Sequence, residues 1–280
     1  MPQISVYTPG SKLTDPKQLF CEMVRDLAAS RELAWRLLIR NISSRYRHTF
    51  LGYFWAFLAP LMTAAVFVFL RKAGYFTVGQ TQLPYAVFVL TGLILWQAFA
   101  DAVHAPLRSV QQSHSMLSKV NFPREALVLA GIGEVLFASL IRLSILVLGL
   151  LWFGIGLSWT AIWFPFGMLA LIAMGITLGL LITPVALLYH DVGQALPFAL
   201  YLWMFLTPVI YPSAAESGAL LLLLNPVSPV LDTTRDWLFS GSPQYLSAFF
   251  VVCGLTVFAL FAGLLLYRLA LPILIERITA

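Results

Sequence analysis

The sequence predicts an all-α integral membrane fold: six transmembrane helices, an amphipathic interface helix at the N-terminus, and a re-entrant outer segment before the last span. Three observations lead there. Over 280 residues the chain is 60% hydrophobic and only 10% charged, where soluble domains carry about a quarter charged residues, and its mean hydropathy is +0.87. The apolar residues fall in runs long enough to cross a ~30 Å hydrocarbon layer, separated by charged or proline-rich breaks. Thirteen Lys or Arg gather in the breaks of one side, against Arg71, Lys72 and Arg235 on the other and Arg142 inside a run; this positive-inside pattern puts both termini in the cytoplasm.

The net charge of +5 therefore orients the chain and does not mark a nucleic-acid binder, since eight of the 17 Lys and Arg lie in the first 47 residues and most others flank apolar runs. Cys21 falls in the N-terminal segment and Cys253 inside a span, which indicates no disulfide framework. The first apolar run begins at Phe50 and reaches spanning length, unlike the short core of a cleaved signal.

Residues 1–48 read as a cytoplasmic and interfacial segment. After a tail over 1–14, Asp15-Pro16 supplies an N-cap and a first-turn proline. Phe20, Met23, Val24 and Leu27 then repeat at helical spacing. Beyond Ser30, Trp35, Leu38, Ile39, Ile42 and Tyr46 share one face, against Arg36, Arg40, Ser43 and Arg47 on the other. Such a helix suits the membrane surface, its apolar stripe in the interface and its arginines facing anionic lipid or a partner.

Residues 49–272 form the six-span domain, with spans at about 50–71, 84–105, 125–153, 161–188, 192–212 and 244–269. Arg45, Arg47 and His48 stop at Thr49, no charge interrupts Phe50 to Leu70, and Tyr53 and Trp55 sit at the depth amphipathic rings prefer. The second span ends at Asp101. A long inner loop follows, in which Arg108, Gln111, Gln112, His114, Ser115 and Lys119 suit a short surface helix over Leu107 to Phe122, closed by Asn121-Phe-Pro-Arg-Glu125.

The third span carries Glu134 and Arg142. Each would cost ~2.5 to 3.5 kcal/mol if left unpaired in lipid, so both must face protein or water. They lie ~12 Å apart along the helix, so each needs a partner elsewhere, and the depth of Arg142 points to Asp232 or Asp236. The fourth span contains Pro165, Pro184 and Gly175-Ile-Thr-Leu-Gly179, a spacing that admits a close helix neighbour. Tyr189-His190-Asp191 is a short inner turn, and the fifth span is broken by Pro197 and Thr207-Pro208. Ala219 to Leu224 is too short to cross and is followed by Asn225-Pro226, Ser228-Pro229 and Asp232-Thr-Thr-Arg-Asp236, so this stretch dips into the outer leaflet and returns. The sixth span closes near Arg268, leaving 273–280 as a cytoplasmic tail.

Catalytic patterns are missing. No Gly-x-x-x-x-Gly-Lys-[Ser/Thr] loop occurs, so the chain cannot bind ATP in that way. His48, His104, His114 and His190 lack metal-ligand spacing, and Asp101, Glu134 and Asp191 belong to different helices, unlike paired acid-base carboxylates. The aromatics amount to 14% of the chain. Trp55, Trp96, Phe99, Trp203 and Tyr211 offer apolar ring faces on which sugar C–H groups could stack; the alternative is a role in interfacial belts and packing.

Taken in order, Arg45-Tyr-Arg47, Leu51-Gly52, Trp55-Ala-Phe57 with Pro60, Phe122-Pro-Arg-Glu125, His190-Asp191, Thr207-Pro-Val-Ile-Tyr211 and Asn225-Pro226 resemble the ABC-2 type permeases that export lipid-linked polysaccharides, O-antigen exporters above all. The resemblance runs through nearly the whole chain. It implies a homodimer in the bacterial inner membrane, two nucleotide-binding ATPase subunits that hold ATP and Mg, no cofactor on this chain, and an undecaprenyl-pyrophosphate-linked glycan as cargo. Arg36, Arg40, Arg47, Arg108, Lys119, Arg124, Glu125, His190 and Asp191 are the candidates for coupling to the ATPase. Capsule and teichoic acid export permeases share these motifs. A membrane-embedded glycan- or lipid-modifying enzyme would instead need a cluster of carboxylates or histidines at one membrane face.

Overall fold

The computed structural model describes residues 29–47, 54–75, 83–113, 125–212 and 225–279. The described residues hold eight α-helices and no strand: α1 (Arg31–Arg47), α2 (Phe54–Lys72), α3 (Tyr85–Gln112), α4 (Glu125–Trp152), α5 (Phe164–Leu188), α6 (His190–Leu206), α7 (Val227–Phe239) and α8 (Leu246–Thr279). A 3-10 turn, Trp159–Trp163, leads into α5. The end of the bundle that bears α1 is called inner here, following the charge distribution.

Among the described residues, four helical stretches are long and apolar enough to cross a membrane: Tyr85–Gln112, Glu125–Trp152, Trp159–Leu188 and Leu246–Leu271. The multi-pass membrane character read from hydropathy thus holds. α2 and α6 are apolar but shorter, at 19 and 17 residues, and α7 has 13 residues, ~20 Å, too short for a crossing. Prolines lie inside α2, α3, α5 and α6 (Pro60, Pro106, Pro184 and Pro197), a placement that membrane helices tolerate because neighbours re-satisfy the freed backbone groups.

α3 is the hub. It is buried along nearly its whole length, with α5 and α4 on its flanks and α2, α6 and α7 touching it elsewhere. The α5 seam is the Gly175/Gly179 pair: a Cβ at Gly175 would fall 2.5 Å from the Phe99 carbonyl oxygen, and one at Gly179 2.4 Å from that of Val103. The glycine spacing is thus a packing device, as the sequence suggested. α4 runs antiparallel to α3, with Gly131 against Ala105 and Ser109 near the inner end and Gly149 against Leu90 near the outer end. α1 lies on the inner half of α4, burying Ala34 and Leu37 and setting Leu38 against Gly133. α8 packs on α5 and exposes Phe250, Val251, Leu255, Val257 and Phe258, the face expected of a helix against lipid.

Several boundaries differ from the sequence reading. The second span does not stop near 105: α3 continues to Gln112, because Pro106 is accommodated in the helix and Arg108 and Ser109 after it face α4. Arg108 is therefore on α3 itself and not on a separate surface helix; the rest of that expected helix, with Lys119 and Arg124, lies outside the described residues. α8 continues through the stretch taken as a tail. The expected amphipathic repeat before Ser30 and the apolar run at 219–224 also lie outside the described residues.

Candidate functional site

Two polar clusters and an aromatic knot gather most of the described candidate residues. The inner cluster lies where α1, α3 and α4 meet. Arg142 of α4 donates to a carboxylate oxygen of Asp101 on α3, with the two side chains 14% and 26% exposed. Asn41 of α1 donates through Nδ2 to Glu134 Oε1 at 2.7 Å. A cavity of about 10 Å³ between α3 and α4 is lined by Asp101, Ala105, Arg108, Gly131, Glu134, Val135 and Ala138, the volume of a single water.

This corrects the expected partner of Arg142: it is Asp101, and neither Asp232 nor Asp236. The cause is geometric. The antiparallel register that sets Gly131 beside Ala105 and Gly149 beside Leu90 places the Arg142 backbone about one turn further out than Asp101. Helical side chains lean toward the N-terminus of their own helix, which for α4 is the inner end, so the guanidinium reaches back to Asp101. Asp232 is engaged by Arg235 of its own helix at 3.4 Å, and Asp236 accepts from the Gln244 backbone N–H at 3.2 Å.

The residues proposed for coupling separate into groups. Arg36 is on the exposed face of α1, tied to Glu32 at 2.6 Å. Arg40 donates to Asn41 Oδ1 and, at 3.4 Å, to Ser113 Oγ at the end of α3. His190 and Asp191 are exposed where α6 begins. Arg108 turns to the cavity with Asp101 and Glu134. Glu125 is buried at 8% exposure and sits 3.6 Å from Arg268 of α8, so it ties two helices together and offers no free carboxylate at the surface. The Arg47 side chain, with Lys119 and Arg124, lies outside the described residues.

The aromatic candidates form a knot. The Trp96, Phe99 and Trp203 rings meet with centroids 5.2 to 6.2 Å apart. Trp96 is 4% exposed and Phe99 not at all, so neither has an open face; their rings pack α6 onto α3. Trp203 and Tyr211 are half-buried, and the Trp55 side chain lies outside the described residues. Rings that sequence reasoning did not single out, Phe198, Tyr201 and Phe205, are the exposed ones on α6.

The outer cluster was missed by sequence reasoning, which counted Arg235 only among the charges of the outer side. Arg235 is 5% exposed. α6 stops at Leu206, and the turn after it carries three consecutive carbonyls that no helix satisfies. Arg235 Nη2 donates to Pro208 O at 3.0 Å and Val209 O at 3.1 Å, and the Tyr85 hydroxyl donates to Ile210 O at 3.0 Å. The guanidinium carbon stands 4.0 Å from the centroid of the Phe88 ring. Asn225 holds the same turn from another side: its Nδ2 donates to Thr207 Oγ1 at 2.8 Å, and its Oδ1 accepts from Trp203 Nε1 at 3.1 Å. Burial lowers the Arg235 pKa, opposed by Asp232 and Asp236; burial likewise raises the Asp236 carboxyl above the usual carboxylate range, opposed by the Gln244 N–H and Arg235. The available signal was an arginine three residues after an aspartate in a short, proline-bounded apolar stretch.

Among the described residues no three His, Cys, Asp or Glu gather as metal ligands would. The chemistry on display is helix docking through buried polar contacts.

Comparison with known proteins agrees. A family model described as ABC-2 type transporter matches residues 32–239. An O-antigen export system permease protein of Myxococcus xanthus is 30% identical over 212 residues, spanning 73% of this chain and 79% of that protein. Another from Klebsiella pneumoniae is 25% identical over 210 residues, 74% and 80% of the two chains. A polysialic acid transport protein of Escherichia coli is 25% identical over 253 residues, 83% and 91% of the two. The matched region takes in nearly all of α1 to α7, with both polar clusters, and on that evidence the chain belongs to the ABC-2 type transporter family.

Proposed function

We propose that this chain is the membrane permease of an ABC exporter that moves a lipid-linked polysaccharide of the O-antigen type outward across the bacterial inner membrane. The observation that carries the reading is the 30% identity to an O-antigen export permease over 73% of the chain. Two copies, each crossing the membrane six times with both termini cytoplasmic and the 207–239 region dipping into the outer side, enclose the path. Two separate subunits bind ATP and Mg and hydrolyse the nucleotide. Three features of the chain support this division of labour: the missing phosphate-cradling loop, the exposed arginines of α1, and the links from α1 into the bundle through Asn41–Glu134 and Arg40–Ser113. A push on α1 would reach α3 and α4 through those contacts. Capsule export is the second reading, favoured by the longer alignment with the polysialic acid transport protein.

The test is reconstitution. The purified chain alone should hydrolyse no ATP, and with its ATPase it should deplete lipid-linked glycan from the inner leaflet; substantial hydrolysis by the chain alone would overturn the assignment. Deleting the gene should leave polymerised glycan on its lipid carrier inside the cell, and unaltered surface glycan would remove the cargo claim.

A further inference from the structure

α6 is held to the bundle in an uneven way. Its buried residues are Leu196, Leu200 and Met204, a single stripe one residue wide. Phe198, Tyr201, Leu202 and Phe205 are exposed. At its inner end only Tyr189, extended at φ −119° and ψ 105°, separates it from α5, so one residue can absorb a change of direction between the two helices. The firm attachment is at the outer end. There the turn after Leu206 is gripped by Arg235, Tyr85 and Asn225, and space for the grip is provided by Gly92 on α3. A Cβ at Gly92 would lie 2.2 Å from Val209 O and 2.5 Å from Arg235 Nη2.

We propose that Arg235 is a positioning residue for translocation, a latch that holds the Thr207–Tyr211 turn, and with it the outer end of α6, against α3 and α7, and that its release lets α6 swing about Tyr189. The role in transport rests on the exporter reading; the latch itself does not. Arg235 suits a releasable hold better than an apolar plug would. Its partners off its own helix are two backbone carbonyls and a ring face, which a shift of α7 withdraws together while Asp232 moves with it, and its Nε has no hydrogen-bond partner among the described residues. Arg235 serves both carbonyls from Nη2 while Nη1 faces Asp232; lysine keeps the charge but has one nitrogen and no planar face to lay over Phe88.

The experiment uses the full chain with its ATPase in membrane vesicles, carrying Cys21→Ala, Cys253→Ala and the reporter Val209→Cys. Val209 is fully buried in the latched state. A membrane-impermeant maleimide applied from the outer side reads latch opening, and glycan exported per ATP hydrolysed reads transport. Arg235→Met, Arg235→Lys and, independently on another helix, Gly92→Ala should each speed labelling by about ten-fold or more, since a lost charge-assisted hydrogen bond shifts a local opening equilibrium by at least that factor. Export per ATP should fall while the complex still assembles. Labelling at the wild-type rate in folded Arg235→Lys and Gly92→Ala complexes overturns the latch, even if Arg235→Met fails to assemble. Faster labelling with unchanged export per ATP overturns its role in transport. If the wild-type complex exports no glycan at all, the exporter reading fails while the labelling result still decides the latch.

Discussion

Deep in the bundle, Asp101 and Arg142 meet side chain to side chain across two helices that both run on past them for several turns in each direction. At the outer end, Arg235 and Tyr85 reach backbone carbonyls of a turn where a helix has just stopped. The inner arrangement neutralises charges that would be costly in lipid and keeps two long helices in register. The outer one replaces helical hydrogen bonds that proline and the turn have removed. A charge pair on rigid helices is a fixed brace, whereas a side chain capping a turn gives way as a unit when either element moves. A fixed brace deep in the bundle and a releasable hold at the outer end are what the proposed drive from the cytoplasmic side would use.

The sharpest way to break this comparison is to remove one half of the brace. Arg142→Leu leaves Asp101 uncompensated and should destabilise the complex by about 3 kcal/mol, the low end for a buried pair because Asp101 keeps some exposure. Asp101→Leu combined with Arg142→Leu should recover most of that loss, as a double-mutant cycle in thermal unfolding will show. Full additivity would mean that the two side chains do not act as a brace.

Asn225→Ala comes next, at roughly 2 kcal/mol, because it strips buried partners from Thr207 and Trp203. Asn225→Asp keeps the Trp203 acceptor but loses the donor to Thr207, so it should loosen the turn without freeing the Trp203 ring; indole fluorescence separates the two. A smaller effect belongs to Glu134. Glu134→Gln retains the acceptor for Asn41 and should change stability little, while Glu134→Leu should cost about 1 kcal/mol. If the glutamine variant is the worse of the two, charge rather than hydrogen bonding holds α1. At the bottom of the scale, Glu32→Gln should have no measurable effect on unfolding, since the Glu32–Arg36 pair is about three-quarters exposed.

The glycine seam at 175 and 179 was legible in the sequence because close helix approach needs missing side chains, and spacing alone reveals that. So was the demand of Glu134 and Arg142 for partners, since the cost of a lone charge in lipid follows from composition. The identity of the partners was not. Asp101 looked like the end of a span because aspartate and a following proline usually end one, and only the continuation of α3 to Gln112 places it inside the bundle. The outer latch was less legible still. Its acceptors are main-chain carbonyls, which every residue carries, so no residue type at 208–210 announces them. For Trp96 and Phe99 the sequence left sugar contact and packing both open, because chemistry does not say which way a ring faces; here both rings are buried between helices.

α8 carries a last consequence. From Leu246 to Arg268 it runs apolar for about 33 Å, close to the thickness of a bilayer core, and at its inner end Arg268 is moored to Glu125, the first residue of α4. α8 also packs along α5 and against α7, so a helix matched to its solvent on one face is coupled to the bundle on the other. Thinner lipid would tilt it, and the tilt would be delivered at Glu125, beside the chain segment that joins α3 to α4. On that geometry the thickness of the membrane would act on the bundle through α8.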